Sequence, residues 1–196
     1  IGKPDYANTK FIFCEKTMVY TIEASGSLYA VNTTDGSWKQ IGKNGAWIGT
    51  IAGTILNGGL YTVEKSGALY FTDLSTGNWK QIGKAEFANT AFIYAANGKL
   101  FTIETSGSLY GINATTGTWG QVGKAGAWSG TRKGVVVNNL LYTIEASGAL
   151  YETNLMTGTW KQLGKPDFKA TTFMIGSNDK IHTIETSGSL YEVLIK

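Results

Sequence analysis

The chain has 196 residues, of which 42% are hydrophobic and 12% aromatic, so it is long enough to bury one sizeable core. Its 17 Lys and Arg residues against 14 Asp and Glu residues give a net charge of +3, and no stretch concentrates the basic residues. We therefore expect no nucleic-acid partner, and no membrane span, because no apolar run approaches the roughly 18–20 residues of a spanning helix.

The first predicted elements are four short strands joined by turns. TKFIF at residues 9–13 is rich in β-branched and aromatic residues, and so are VYTIE and SLYAV on either side of Ser25-Gly26. Ser-Gly is a hairpin signal, because glycine adopts positive φ angles without steric cost. The turn residues NTTDGS then lead into a fourth strand, WKQI, which begins at Trp38.

This pattern returns four times along the chain. TIEASGSLY at residue 21 is followed by TVEKSGALY at 62, TIETSGSLY at 102, TIEASGALY at 143 and TIETSGSLY at 183. In each of the first four repeats, the next tryptophan lies 15 positions after the motif glutamate. No window has the periodicity of an amphipathic helix. Four short strands repeated at about 40 residues are typical of a β-propeller blade.

We predict an all-β fold, a five-bladed β-propeller of four-stranded antiparallel blades, with residues 1–196 forming a single domain. The last unit stops at LYEVLIK without a Trp-x-Gln strand, whereas the chain starts with Ile1-Gly2-Lys3, which matches the end of such a strand. We therefore expect the ring to be closed by the N-terminus against the last blade.

The loops that precede each unit are of two kinds. KPDYANT, KAEFANT and KPDFKAT place an acid beside an aromatic residue, whereas KNGAWIGT and KAGAWSGT carry a tryptophan. In a propeller these loops share a face with the Ser-Gly turns, and variable loops on a rigid scaffold are where binding normally resides. The candidate ligand-binding residues in these loops are Asp5, Tyr6, Asn8, Trp47, Glu86, Phe87, Asn89, Trp128, Asp167 and Phe168.

The tryptophans fall into two groups with different expected roles. Trp47 and Trp128 occur in the loops of only two units, where an indole ring could stack on the C–H face of a sugar, although a packing role is equally consistent. The tryptophans of the repeated Trp-x-Gln strand are expected to cover blade edges. These are Trp38, Trp79, Trp119 and Trp160.

The stretch WKQIGKNGAW, followed by a strand and then by NGGLY, resembles the repeat of tachylectin-type lectins. TKFIF at residues 9–13 and NGKLF at 97–101 are the segments most similar to the strands of that repeat. The resemblance implies a five-bladed propeller that binds N-acetylated amino sugars between neighbouring blades.

We therefore expect a secreted or extracellular, multivalent carbohydrate-binding protein with glycans or glycoproteins as partners and no cofactor. One weak site copied around a propeller gains avidity of roughly 10²- to 10⁴-fold on a clustered glycan surface. The alternative is a protein-binding propeller, such as an enzyme inhibitor, which would engage one partner through one loop face.

Residues that often carry catalysis are isolated in this sequence, so we predict that the protein is not an enzyme. His182 takes the place of aromatic residues such as Tyr20, and Cys14 takes that of small apolar residues. No cluster has metal-ligand spacing. A glycosidase needs two carboxylates in unequal environments, which a repeated glutamate does not provide.

The repeated glutamate at the end of the second strand is expected to be structural. Its carboxylate could accept hydrogen bonds from turn N–H groups or meet the lysine of the repeated Gly-Lys pair. These glutamates are Glu23, Glu64, Glu104, Glu145 and Glu185, and the lysines are Lys3, Lys43, Lys84, Lys124 and Lys165.

Overall fold

The computed structural model describes residues 6–177 and 179–195. Within these residues all regular structure is β-strand, and no helix occurs, so none is available to cross a membrane. The strands are β1 (Thr9–Glu15), β2 (Met18–Glu23), β3 (Leu28–Asn32), β4 (Trp38–Ile41), β5 (Thr50–Leu56), β6 (Gly59–Glu64), β7 (Leu69–Asp73), β8 (Trp79–Ile82), β9 (Thr90–Ala96), β10 (Lys99–Glu104), β11 (Leu109–Ile112), β12 (Trp119–Val122), β13 (Thr131–Val137), β14 (Leu140–Glu145), β15 (Leu150–Asn154), β16 (Trp160–Leu163), β17 (Thr171–Ser177), β18 (Lys180–Glu185) and β19 (Leu190–Leu194).

The strands form five sheets in which sequence neighbours are hydrogen-bonded. Four sheets have four strands each, and the last, β17-β18-β19, has three, as the missing Trp-x-Gln segment predicted. Every pairing for which a register is described is antiparallel. The prediction of an all-β propeller fold with five blades is confirmed. Closure by Ile1–Lys3 lies outside the described residues, and the single domain stays a prediction.

The Ser-Gly hairpins form as the sequence predicted. In the first, Glu23 N–H donates to the Ser27 carbonyl at 3.0 Å and Gly26 N–H donates to the Glu23 carbonyl at 2.8 Å. Gly26 has a φ of +78°, in the region that favours glycine. The turn directs the following leucine into the sheet interior, where Leu28 is fully buried.

Two pairs of sheets stack face to face, with an apolar side chain of one sheet on a glycine of the other. The contacts divide the chain into two compact units, one reaching Ile93 and including Ala114–Thr118, the other made of the remaining residues. In the first unit the Phe13 ring lies on Gly53, where an added Cβ would be 2.8 Å from the ring Cζ. In the second, Val135 lies on Gly176 in the same way.

Cys14 does not occupy a small buried slot as its alignment with apolar residues suggested. Its side chain is a free thiol on the exposed face of β1, next to Ile12, which is 57% exposed. The thiol is therefore accessible to solvent.

Candidate ligand-binding pockets

The loop before each unit is hydrogen-bonded to the Ser-Gly turn of the preceding unit. Trp47 N–H donates to the Gly26 carbonyl at 2.9 Å, and Phe87 N–H donates to the Gly67 carbonyl at the same distance. The same bond joins Trp128 N–H to the Gly107 carbonyl and Phe168 N–H to the Gly148 carbonyl, at 2.9 Å in both cases. The loops and turns therefore share one edge of the sheets, as predicted.

Four of the five repeated glutamates accept a hydrogen bond from a threonine hydroxyl. Thr50 Oγ1 donates to Glu64 Oε1 at 2.7 Å, and the same bond joins Thr131 to Glu145 at 2.7 Å. Thr9–Glu23 and Thr171–Glu185 repeat the bond at 2.8 and 2.7 Å. Within residues 6–177 and 179–195, none of these four glutamates forms an ion pair with a lysine. The expected lysine contact is therefore wrong for them.

Burial changes the acidity of one of these glutamates. The surroundings of Glu64 raise the pKa of its carboxyl group, because the charged form loses contact with water, and the hydroxyl groups beside it oppose the shift only in part. Gly49 lies against Oε2 of the same carboxylate, where a side chain would clash at 2.5 Å. The glycine therefore leaves room for this carboxylate beneath the loop.

Each of the first four sheets presents a tyrosine and a tryptophan in edge-to-face contact beside this glutamate. The ring centroids of Tyr70 and Trp79 are 5.3 Å apart at an interplanar angle of 88°. Such contacts contribute about 0.5–1.5 kcal/mol beyond area burial. The other pairs, with centroids 5.1–5.3 Å apart, are Tyr29–Trp38, Tyr110–Trp119 and Tyr151–Trp160.

The tryptophans of these four pairs are about half exposed. Their exposed fractions run from 48% for Trp119 to 58% for Trp38. Each indole thus contacts one tyrosine ring and keeps about half of its surface exposed to solvent. Besides any role at the blade edges, Trp38, Trp79 and Trp160 line pockets.

Two pockets in different units have the same construction. One, of about 360 Å³, is lined by Glu64, Tyr70 and Trp79 together with the loop residues Trp47 and Ile48. The other, of about 340 Å³, has the equivalent lining, which is Ala127, Trp128, Ser129, Gly130, Thr143, Glu145, Ala146, Ser147, Tyr151 and Trp160. Each combines an aromatic wall, a carboxylate and backbone of the loop.

A buried hydroxyl group completes the second of these pockets. Thr143 is fully buried, and its Oγ1 has no hydrogen-bond partner within the described residues. An unpaired buried hydroxyl costs free energy unless a ligand or water meets it. The pocket therefore offers a polar group besides the Glu145 carboxylate.

The first sheet carries a related pocket of about 410 Å³. Its lining includes the predicted site residues Tyr6 and Asn8 together with Glu23, Tyr29 and Trp38. The structure thus brings these two loop residues to the repeated Glu-Tyr-Trp set. Asp5 lies outside the described residues.

The last sheet has a larger and more acidic pocket of about 560 Å³. The predicted residues Asp167 and Phe168 line it with Glu185, Tyr191 and Glu192. Among the described residues that line it, the aromatic side chains are Phe168 and Tyr191, and none is a tryptophan. This pocket therefore differs from the others in lacking an indole ring.

The remaining predicted site residues are divided between the interior and the surface. Trp47, Phe87 and Trp128 are 4%, 3% and 3% exposed, and Trp128 Nε1–H donates to Thr153 Oγ1 at 3.2 Å. Rings so deeply buried have little surface left for stacking on a ligand. Glu86 and Asn89 are exposed on their loop.

Sequence reasoning gave the repeated tryptophans and tyrosines no ligand role. The available signal was the constant spacing of glutamate, tyrosine and tryptophan in the first four units, as in Glu64, Tyr70 and Trp79. That spacing places the three residues on adjacent strands and on the same face of the sheet, where they line one pocket.

Comparison with known proteins supports the fold and no more specific assignment. No protein-family model and no curated protein matches the chain by sequence. Among solved structures, the computationally designed Ika8 protein is similar with a TM-score of 0.62 and 11% identity, covering 94% of this chain and 57% of its own. PorZ, a surface component of the type IX secretion system of Porphyromonas gingivalis, has a TM-score of 0.61 and 13% identity, covering 95% of this chain and 27% of its own.

A third similar structure is YCF48 bound to D1 peptide, with a TM-score of 0.64 and 14% identity, covering 98% of this chain and 67% of its own. The chain thus spans 57% of Ika8 and 27% of PorZ, less than two thirds of each. Identities this low establish a shared β-propeller fold only.

Proposed function

We propose that the protein is a multivalent carbohydrate-binding protein whose sites are the pockets built around the repeated Glu-Tyr-Trp set. The observation that supports this proposal is the recurrence of one half-exposed indole, held by one tyrosine, in four successive sheets. A fold alone does not require exposed tryptophans, since burying each ring would be favourable. Their repeated exposure is explained if each ring meets a ligand.

The chemistry of the pocket suits a sugar ring. The C–H bonds of one sugar face carry partial positive charge and pack on the electron-rich face of an indole, such as that of Trp79. One oxygen of the neighbouring Glu64 carboxylate accepts a hydrogen bond from Thr50, and the other can accept a hydrogen bond from a sugar hydroxyl group. A buried hydroxyl such as that of Thr143 can take part in hydrogen bonds with the same ligand.

N-acetylated amino sugars are the first ligand class to test. Besides hydroxyl groups they carry a methyl group, for which the apolar wall around Trp47 and Ile48 offers contact, and an amide that can pair with the carboxylate or backbone. The resemblance of the repeat to tachylectin-type lectins supports the same class. Similar pockets on several blades would engage several sugars of one glycan surface.

The test is calorimetric titration with N-acetylglucosamine and N-acetylgalactosamine, combined with stepwise replacement of the exposed tryptophans. Trp79→Ala and Trp160→Ala should each remove about one site, and replacing Trp38 and Trp119 as well should abolish binding. Lys39→Ala and Lys80→Ala are matched controls, because these exposed residues directly follow two of the tryptophans. Circular dichroism verifies that each variant is folded. Full binding by the quadruple variant would refute the proposal.

A protein ligand is the second candidate. One similar fold, that of YCF48, is seen with a bound peptide. A protein-binding propeller would bind one partner through one set of loops, so stoichiometry separates the two functions. Absence of any sugar binding, together with one-to-one capture of a polypeptide that depends on the acidic pocket around Asp167, would favour this alternative.

A further inference from the structure

One face of the last sheet exposes apolar side chains that are buried in the other sheets. Ile184 is 40% exposed and Leu190 is 66% exposed, whereas their equivalents Ile22 and Leu28 in the first sheet are 1% and 0% exposed. The cross-strand register pairs Phe173 with Ile184 and Ile184 with Leu190, which places the three on one face. This face, defined by Phe173, Ile175, Ile184, Leu190 and Leu194, is the open last face.

The equivalent face of the first sheet shows what normally covers it. There the Phe13 ring packs on Gly53 of β5, which is the first strand of the following sheet. In the second unit, Val135 of β13 packs on Gly176 of β17 in the same manner. In both cases the face is therefore covered by the first strand of the sheet that the following repeat forms.

The first strand of the first sheet, β1, exposes the side that in later sheets packs on the preceding sheet. Ile12 is 57% exposed, although its equivalents Ile93 and Met174, one in each unit, are 6% and 8% exposed. The neighbouring Cys14 on the same side of β1 is exposed as well. This surface, defined by Ile12 and Cys14, is the open first face.

The hydrogen bonds between loops and Ser-Gly turns identify the same two faces. Four Ser-Gly turns receive an N–H from the loop of the following unit, and a Cβ on any of their glycines would meet that loop. Gly188, the fifth, has no heavy atom within 4 Å of its Cβ position. Within residues 6–177 and 179–195, Gly188 accepts no such bond and Tyr6, which holds the position of Trp47 in the first loop, donates none.

We infer that the open last face binds the open first face of a second copy of this chain. Such a contact would continue the stacking already present between sheets of one chain. Ile175 of one copy would pack on Ile12 and Cys14 of the other, as Phe13 packs on Gly53. The Tyr6 N–H would donate to the Gly188 carbonyl, as Trp47 donates to Gly26. This inference does not depend on sugar binding.

Because the two faces differ, the contact is heterologous. Two copies can use it twice and form a closed dimer, and a geometry that does not close would give longer assemblies. Exposed large apolar side chains grouped on one sheet face are also a recognised mark of an interface. Both arrangements share one requirement, which is that the open last face of one copy meets the open first face of another.

The test is the mass in solution of the full chain over a wide range of concentrations, measured by analytical ultracentrifugation. We expect the unchanged protein to exceed the monomer mass. Leu190→Glu and Ile12→Lys should each be monomeric, since either substitution places a charge in every contact. Met156→Lys, at a 52% exposed turn residue outside both faces, is the matched control and should associate like the unchanged protein.

Mixing the two monomeric variants gives the sharper result. The Ile12→Lys copy retains an intact last face and the Leu190→Glu copy retains an intact first face, so an equimolar mixture should form a one-to-one complex. A monomeric unchanged protein at all concentrations would overturn the inference. So would continued self-association of Ile12→Lys alone, which would indicate that two last faces meet each other. Near-native circular dichroism of both variants is required for the comparison.

Discussion

Thr50 and Glu64 are joined by a hydrogen bond of 2.7 Å from the threonine hydroxyl to Oε1 of the carboxylate. The bond ties the start of β5 to the end of β6 at the edge where loop and turn meet. It also orients the acid, because one oxygen is occupied and the other is left beside Gly49. The pocket therefore contains a carboxylate whose position is set by the fold.

Replacing Thr50 with valine should destabilise the protein by about 1.5–3 kcal/mol, the usual range for a hydrogen bond to a charged group. Valine keeps the shape of threonine but leaves the carboxylate oxygen without its donor. Urea denaturation followed by tryptophan fluorescence measures the effect. Thr54→Val, on the same strand, is the control, and an equal loss in both variants would contradict the role of the Thr50–Glu64 bond.

The raised pKa of Glu64 predicts a pH dependence of stability. The folded state holds the Glu64 proton more tightly than the unfolded chain, whose glutamate pKa is about 4.3, so protonation favours folding. This contribution is complete below the unfolded pKa and is lost as pH rises through the folded pKa. The free energy of unfolding of the unchanged protein, relative to that of Glu64→Gln, should therefore decrease as the pH rises above about 4.

The pH experiment uses urea titrations of both proteins in the same buffers. Glu23→Gln is a suitable second variant, because this glutamate accepts the equivalent threonine hydrogen bond from Thr9. A constant difference between the unchanged protein and Glu64→Gln across this range would contradict the prediction.

Gly53→Ala should destabilise the protein by about 1–3 kcal/mol through overpacking. The new methyl group would lie 2.8 Å from Cζ of Phe13, so the ring has to move. Gly120→Ala is the matched control, because the space around Gly120 in β12 is open. Thermal unfolding compares the two, and recovery of stability by adding Phe13→Leu to Gly53→Ala would identify the ring as the cause.

Trp128→Phe should cost about 1–3 kcal/mol, because it leaves the buried Thr153 hydroxyl without the indole N–H that bonds it. Trp160→Phe should have a smaller effect, since Trp160 is 54% exposed. Chemical denaturation checks the difference. Equal effects of the two substitutions would show that the Trp128–Thr153 bond is not important for stability.

The burial of Trp47 and Trp128 also changes the expected outcome of removing them. Reasoning from sequence suggested that alanine at both positions would remove sugar binding and leave the fold intact. Each buried ring is instead expected to cost about 3–5 kcal/mol when truncated, so the double variant should be strongly destabilised. Its melting temperature distinguishes loss of folding from loss of a site.

The strands, the turns and the division into five repeats were predictable from sequence because they depend on local chemistry. Alternation of β-branched and aromatic residues with Ser-Gly turns such as Ser25-Gly26 constrains the backbone over a few residues, and the repeat copies that constraint. The contact between loop and turn was also predictable, since in a propeller both lie on one face. The partner of the repeated glutamate was not, because Thr50 and Glu64 are 14 residues apart and meet only across a strand pair.

The sequence by itself determined which residues repeat, the fold class, the three described strands of the last sheet, and which loops share an edge with the Ser-Gly turns. Only the tertiary structure decided which aromatic rings face solvent. Trp47 and Trp79 have the same side chain, yet one is 4% and the other 57% exposed. The physical reason is that burial depends on which residues pack on each ring. Trp47 belongs to a core cluster with Leu60 and Leu74, whereas Trp79 contacts Tyr70 on the neighbouring strand and keeps more than half of its surface exposed.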